Sequence, residues 1–165
     1  MKLRPLAITD EAQALKGHSE LAQENWEYLL NYNADMSWSD YLANLDDEHT
    51  GHNLLQGRVQ ATFFIAEFDE ELIGRASIRH TLNGFLLNFG GHIGYGVRPQ
   101  FRRRGLATEI LKQSLQYIHE LGVTEVLVTC DDDNVGSLKV IESQGGILEN
   151  RVEYEGVLKR RYWIK

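Results

Sequence analysis

The chain has 165 residues, 42% hydrophobic and 25% charged, which is the make-up of a globular protein large enough to bury a core. Its formal charge of −7 is carried by residues 1–90, with 6 Lys+Arg against 14 Asp+Glu, whereas residues 91–165 hold 11 against 10. An acidic balance of this kind excludes a general nucleic-acid binder, which needs a basic face, and suits a cationic partner such as an amine.

Residues 3–8 read as a short first strand, after which Thr9 or Asp10 caps a helix through a Glu- and Ala-rich segment. A second helix is expected over 37–47, capped by Ser37 or Ser39, with Trp38, Tyr41, Leu42 and Leu45 on one face. From Val59 the texture turns β-branched and aromatic: 59–69 and the segment after the acidic turn Asp69–Glu71 predict a hairpin. Residues 87–97, rich in glycine, predict a third strand. Leu106, Ile110, Leu111, Leu115, Ile118 and Leu121 then recur at helical spacing over 105–121, with Gly122 placed to end the helix. Strand 123–130 follows, then a short helix from Val135 to Ser143 with Asp133 or Asn134 as cap, then a closing hairpin around Gly156. This order predicts a mixed, mostly antiparallel α/β sheet flanked by helices. One parallel strand–helix–strand unit is expected over 91–130.

Cys130 is the only cysteine, so no intrachain disulfide forms. No run approaches the roughly 18 apolar residues of a membrane span. The opening MKLRPLAITDEA lacks the apolar core of a signal peptide. The expectation is one cytoplasmic domain, 1–165, with no membrane and no nucleic-acid partner. The histidines show no metal-ligand spacing, and His49 and His52 flank a loop glycine.

The turn FRRRGLA joins a strand to a helix. Helix N-termini present unpaired N–H groups and the positive end of the macrodipole, so anions bind there. Gly105 and the small Ala107 let an anion approach the backbone, while Arg102, Arg103 and Arg104 add charge. Spacing alone leaves a second reading open, a basic loop turned by a glycine.

Residues 97–107, VRPQFRRRGLA, resemble the signature of the GNAT superfamily of N-acetyltransferases, with Arg102, Gly105 and Ala107 at its specified positions. Downstream, DDDNVGSLKVIESQGGILE (131–149) is similar to that superfamily's next segment, nearer the branch that includes ribosomal-protein N-terminal acetyltransferases. The resemblance implies an acetyl-CoA-dependent transfer to a primary amine of a small molecule, peptide or protein. It implies a pyrophosphate site at Arg102, Arg103, Arg104, Gly105, Leu106, Ala107 and Thr108, and a pantetheine arm along the backbone of Tyr95, Gly96 and Val97. Asn134 and Ser137 are expected near the cofactor. The family's usual tyrosine acid falls at Ile141, which cannot donate a proton. Ser137 is therefore the candidate proton donor, and His92 the candidate base beside the alternative of a water wire, since no carboxylate occurs between residues 72 and 108. His80 shares His92's claim. Trp26, Tyr28, Tyr32, Trp38, Asp46, Asp47 and Glu48 lie where the family forms its acceptor wall. Dimers are common in the superfamily. The missing tyrosine leaves a non-catalytic acyl-CoA-binding domain as the alternative.

Overall fold

The computed structural model describes all 165 residues. In chain order it holds β1 (Lys2–Arg4), α1 (Glu11–Ala22), α2 (Trp38–Thr50), β2 (Ala61–Phe68), β3 (Glu71–Arg79), β4 (Ile93–Val97), α3 (Leu106–Glu120), β5 (Val126–Asp131), α4 (Val135–Ser143), β6 (Ile147–Tyr154) and β7 (Val157–Ile164). The strands form two antiparallel sheets, ordered β1-β2-β3-β4 and β5-β7-β6.

Local chemistry accounts for most boundaries. Pro5 ends the first strand after Arg4, four residues short of the expected end, because it cannot donate to a ladder. Ser37 caps α2 by accepting the Asp40 N–H, and Gly51 closes it in the left-handed region at φ 78°. Asp69 and Glu70, at φ 53° and 64°, make the two-residue turn between β2 and β3. Asp10 precedes α1 without capping it through its side chain. Its carboxylate instead accepts from the Ala7 N–H and pairs with Arg4, and this arginine holds the carboxyl well below its ordinary range.

One cluster of buried side chains lies between α3 and the two sheets and includes Ile73, Ile78, Ile110, Ile118, Val128 and Ile141. A second, with Leu21, Tyr28, Trp38, Tyr41, Phe63 and Ile65, packs α1 and α2 on the opposite face of β2 and β3. Full burial of such a side chain stabilises by about 1.5–3 kcal/mol. Strand β5 is covered on both faces, with Leu127 as buried as its neighbours Val126 and Val128.

Two expectations need correction. Residues 86–90 form one turn of π-helix, so the third strand begins at Ile93 rather than near 87. The strand–helix–strand unit is present, but no ladder joins β4 to β5, and the sheet opens between them. That opening positions the site.

Candidate active site

The divergence of β4 from β5 has an identifiable cause. His92 N–H donates to Leu127 O at 2.7 Å, the only backbone bond between the two segments. The next donor, Leu127 N–H, goes to the His92 Nδ1 at 2.9 Å instead of to a strand carbonyl. The imidazole thus takes the place of the next ladder partner and acts as a wedge. Gly91 permits the approach: its φ is 68°, and an added Cβ would stand 2.7 Å from Leu127 O. On the other side, β4 keeps its ladder with β3, fixed by Arg79 N–H to His92 O and Arg98 N–H to Ile73 O. Antiparallel alternation then turns Gly94 and Gly96 toward β3 and leaves the backbone of Ile93, Tyr95 and Val97 on the open edge. Of the three residues expected along a pantetheine arm, Tyr95 and Val97 present their amides there and Gly96 does not.

The loop after β4 carries the phosphate motif. Arg98 anchors it. This buried guanidinium grips Glu20 through two bonds of 2.7 and 2.8 Å and donates to Leu72 O at 2.6 Å. Arg102 points away from the helix start, donating to Val97 O at 3.0 Å and to both oxygens of Glu24 at 3.0 and 2.6 Å. It fastens the loop to the end of α1 and offers an anion little. Arg104 lies over the Phe101 ring at 5.9 Å, and Arg103 is exposed. The backbone is more informative. Arg103 and Gly105 both lie in the left-handed region, at φ 61° and 75°, with Arg104 outside it between them. Alternation of this kind turns successive N–H groups into one concave nest for anions. The N–H groups of Arg103, Arg104, Gly105, Leu106, Ala107 and Thr108 have no hydrogen-bond partner in the chain. Six consecutive free donors at the head of a 15-residue helix suit a pyrophosphate.

A cavity of about 570 Å³ opens between β4, β5 and the start of α4. Tyr95, Cys130, Asn134 and Ser137 line it together. Asn134 caps α4, its Oδ1 accepting the Ser137 N–H at 3.0 Å, so this cap also fixes where Ser137 stands. The Tyr95 hydroxyl is buried and makes no hydrogen bond of good geometry. Burial pushes its phenol up, against the opposing pull of the Ser137 hydroxyl beside it. Burial also raises the Cys130 thiol to about 11.

His92 does not line this cavity. Its Nδ1 lone pair is committed to Leu127, and burial with the nearby Arg79 charge lowers its pKa to about 4. It is placed to hold strands apart rather than to take a substrate proton. His80 lies elsewhere, bonded through Nε2 to Thr62 Oγ1 at 2.8 Å, where His49 and Tyr117 also meet. Of the expected acceptor wall only Trp26 reaches the cavity. Tyr28 and Trp38 are core residues, Glu48 pairs with Arg58, and Asp47 accepts from Asn53.

Sequence reasoning missed Arg75 and Arg79, which line the same cavity from β3. The signal was present: two arginines four apart share one face of the strand ELIGRASIR, whose residues 72–78 are otherwise apolar or small.

Residues 1–147 match the model of the acetyltransferase (GNAT) domain. Among solved structures the fold resembles Mycobacterium smegmatis RimJ in complex with CoA-disulfide, at 21% identity and TM-score 0.74 over 98% of this chain and 80% of that one. It also resembles Salmonella typhimurium yncA with its cofactor acetyl-CoA (14%, TM-score 0.65, 99% and 92% covered). A variant of the Vibrio cholerae spermidine N-acetyltransferase SpeG gives 18%, TM-score 0.67, and 99% and 94% coverage. A search of curated proteins finds no significant match. No helix is long and apolar enough to cross a membrane. The structural likenesses carry the fold, and the family match over nine-tenths of the chain carries membership: this chain belongs to the GNAT acetyltransferase family and is an acetyl-CoA-dependent N-acetyltransferase.

Proposed function

We propose that the chain acetylates a primary amine by direct transfer within the cavity between β4 and β5, with acetyl-CoA held along the open edge of β4. The observation that carries this reading is the row of six unpartnered N–H groups, 103–108, at the carboxyl end of a strand whose outer edge is free. Residues Arg103 to Thr108 would hold the pyrophosphate through their backbone, and Tyr95 and Val97 the pantetheine amides, in the manner of an added strand. When bound, acetyl-CoA supplies an activated acetyl carbon and a thiolate leaving group.

The chain's own groups divide the remaining work. Tyr95 and Ser137 place two hydroxyls side by side in the cavity, in a segment where Ile141 is buried in the core. We assign the proton for the departing sulfur to this pair, with Tyr95 as donor and Ser137 as the neighbouring hydroxyl. A phenol held neutral by burial is a full donor at neutral pH, and a serine beside it shortens the proton's path. Cys130 stays a thiol at pH 7, so an acyl-cysteine intermediate is disfavoured. Asp131 is tied to Lys159 at 2.6 Å, which leaves no unpaired, low-lying base in the cavity floor. The acceptor therefore sheds its proton to solvent at the open mouth. We place this activity in one domain, 1–165, working in the cytoplasm without nucleic acid, in keeping with the charge of −7.

The test follows thiol release from acetyl-CoA with amino acids, peptides with free N-termini, polyamines and simple amines. Turnover with at least one class supports the reading. Tight acetyl-CoA binding without turnover by any amine would leave only a binding domain.

A further inference from the structure

The acceptor side of the cavity is cationic, contrary to what the acidic first half of the chain suggests. Arg75 is 4% exposed, and its guanidinium lies 4.1 Å over the Trp26 ring. It donates to Glu27 O at 2.9 Å and to Gly94 O at 3.2 Å, and its Nε is buried without a partner. Arg79 is half-buried, and its guanidinium makes no hydrogen bond and no ion pair. Both converge on one spot above β4: a Cβ added to Gly94 would stand 3.0 Å from Arg79 Nη1 and 3.7 Å from Arg75 Nη1. Gly96 likewise makes room for Trp26, whose ring carbon would lie 2.5 Å from an added Cβ. The two glycines thus let the Arg75, Arg79 and Trp26 side chains close onto β4.

Every other arginine that is buried or nearly so has a carboxylate. Arg4 has Asp10, Arg98 has Glu20, Arg160 has Asp132 and Arg161 has Glu149. Arg75 and Arg79 have none, and they stand side by side. A buried cation without a counter-ion is costly, and two neighbours of like sign raise the cost. Of the cavity's carboxylates, Asp131 is neutralised by Lys159, and Glu155 sits on the exposed turn between β6 and β7. A cation such as a polyamine would meet two unscreened arginines.

Resting on the acetyltransferase reading, we infer that the acceptor is a small amino carboxylate, whose carboxylate is held by Arg75 and Arg79 while its amine faces the acetyl group. Guanidinium forks match carboxylates through paired N–H donors, and Trp26 lines the same cavity beside them. The reaction balances without further reagents. The ammonium loses one proton to solvent, the neutral nitrogen forms the new amide bond as the thioester bond breaks, the sulfur takes the Tyr95 proton, and the second proton shed by the nitrogen restores the phenol.

The experiment compares each common L-amino acid with its α-amide and its decarboxylated amine by thiol release. Aspartate and glutamate amides distinguish a side-chain carboxylate from an α-carboxylate. At least one amino acid should exceed its uncharged counterparts by about 100-fold in kcat/KM, because a site built for a polar group rejects analogues lacking it. Arg79→Gln, chosen because the Arg79 guanidinium bonds nothing in the fold, should shrink that ratio at least tenfold while leaving CoA affinity unchanged. Calorimetry with the N-acetyl amino acids and their amides, in the presence of CoA, reads the same preference without turnover. Amides or polyamines that serve as well as acids would overturn the inference and leave the acetyltransferase reading intact. Equal or absent binding of N-acetyl acids and amides would overturn it too. Failure of the acetyltransferase reading shows separately, as no thiol release with any amine.

Discussion

Replacing His92 by asparagine separates two roles for this residue. The imidazole accepts the Leu127 N–H through Nδ1, and asparagine Oδ1 offers an acceptor at nearly the same distance from the backbone, without a titrating ring. The folded pKa of about 4 lies below the unfolded value near 6.5. The folded state therefore disfavours the proton. Its contribution to stability is fully present above about pH 6.5 and is lost as the pH falls towards 4. The full difference corresponds to about 3 kcal/mol at 1.36 kcal/mol per pKa unit. Solvent screening of the partly accessible ring reduces the expected loss to about 2 kcal/mol. Urea unfolding of both proteins at several pH values from 7 to 4 measures it. His80, also lowered by burial, acts in the same direction in both proteins, so their difference isolates His92. The difference should change by about 2 kcal/mol across the window, with kcat/KM of the variant within about threefold of the parent at pH 8. A flat difference would refute the wedge. A loss of activity beyond about 100-fold at unchanged stability would make His92 the base after all.

Three further outcomes follow from the same geometry. Tyr95→Phe should lower kcat by about 10²-fold with little change in KM, and Ser137→Ala by roughly tenfold, because only the proton donor to sulfur is removed; steady-state kinetics checks both. Cys130→Ser should retain kcat within about threefold, since a thiol raised to about 11 by burial is no nucleophile at pH 7. The rise of kcat/KM with pH should track the amine pKa of whichever acceptor is used, moving with the acceptor, and an invariant inflection near 6.5 would point instead to a histidine base.

What the sequence made legible is what the backbone demands. Gly105 must adopt a positive φ and Asn134 must cap α4, and both needs appear as particular residue types at fixed spacing. Helix α3 was readable from its apolar period. The opening between β4 and β5 was not, because it depends on one imidazole replacing a carbonyl across 35 residues. The π-turn LLNFG at 86–90 overlaps the strand expected from residue 87, since its apolar and aromatic residues suit either state. Arg102 was given to the phosphate because the motif names its position, whereas in the fold it binds Glu24 and Val97 O. The acidic residues of the first half do not line the cavity. Glu20, Glu24 and Glu48 each serve an arginine, and the charges of the first half that line the cavity are Arg75 and Arg79.

The central claim is that backbone N–H groups at 103–108 hold the cofactor's pyrophosphate. Gly105→Asn and Gly105→Asp test it as a pair, because both side chains tolerate the left-handed backbone, an added Cβ there meets nothing within 4 Å, and they differ only in charge. Calorimetric affinities for acetyl-CoA and for acetyl-pantetheine, which lacks the pyrophosphate, should be measured for both variants. The account predicts that Gly105→Asp binds acetyl-CoA at least about 100-fold more weakly than Gly105→Asn, while the two bind acetyl-pantetheine alike. Equal affinity of the two variants for acetyl-CoA would contradict it.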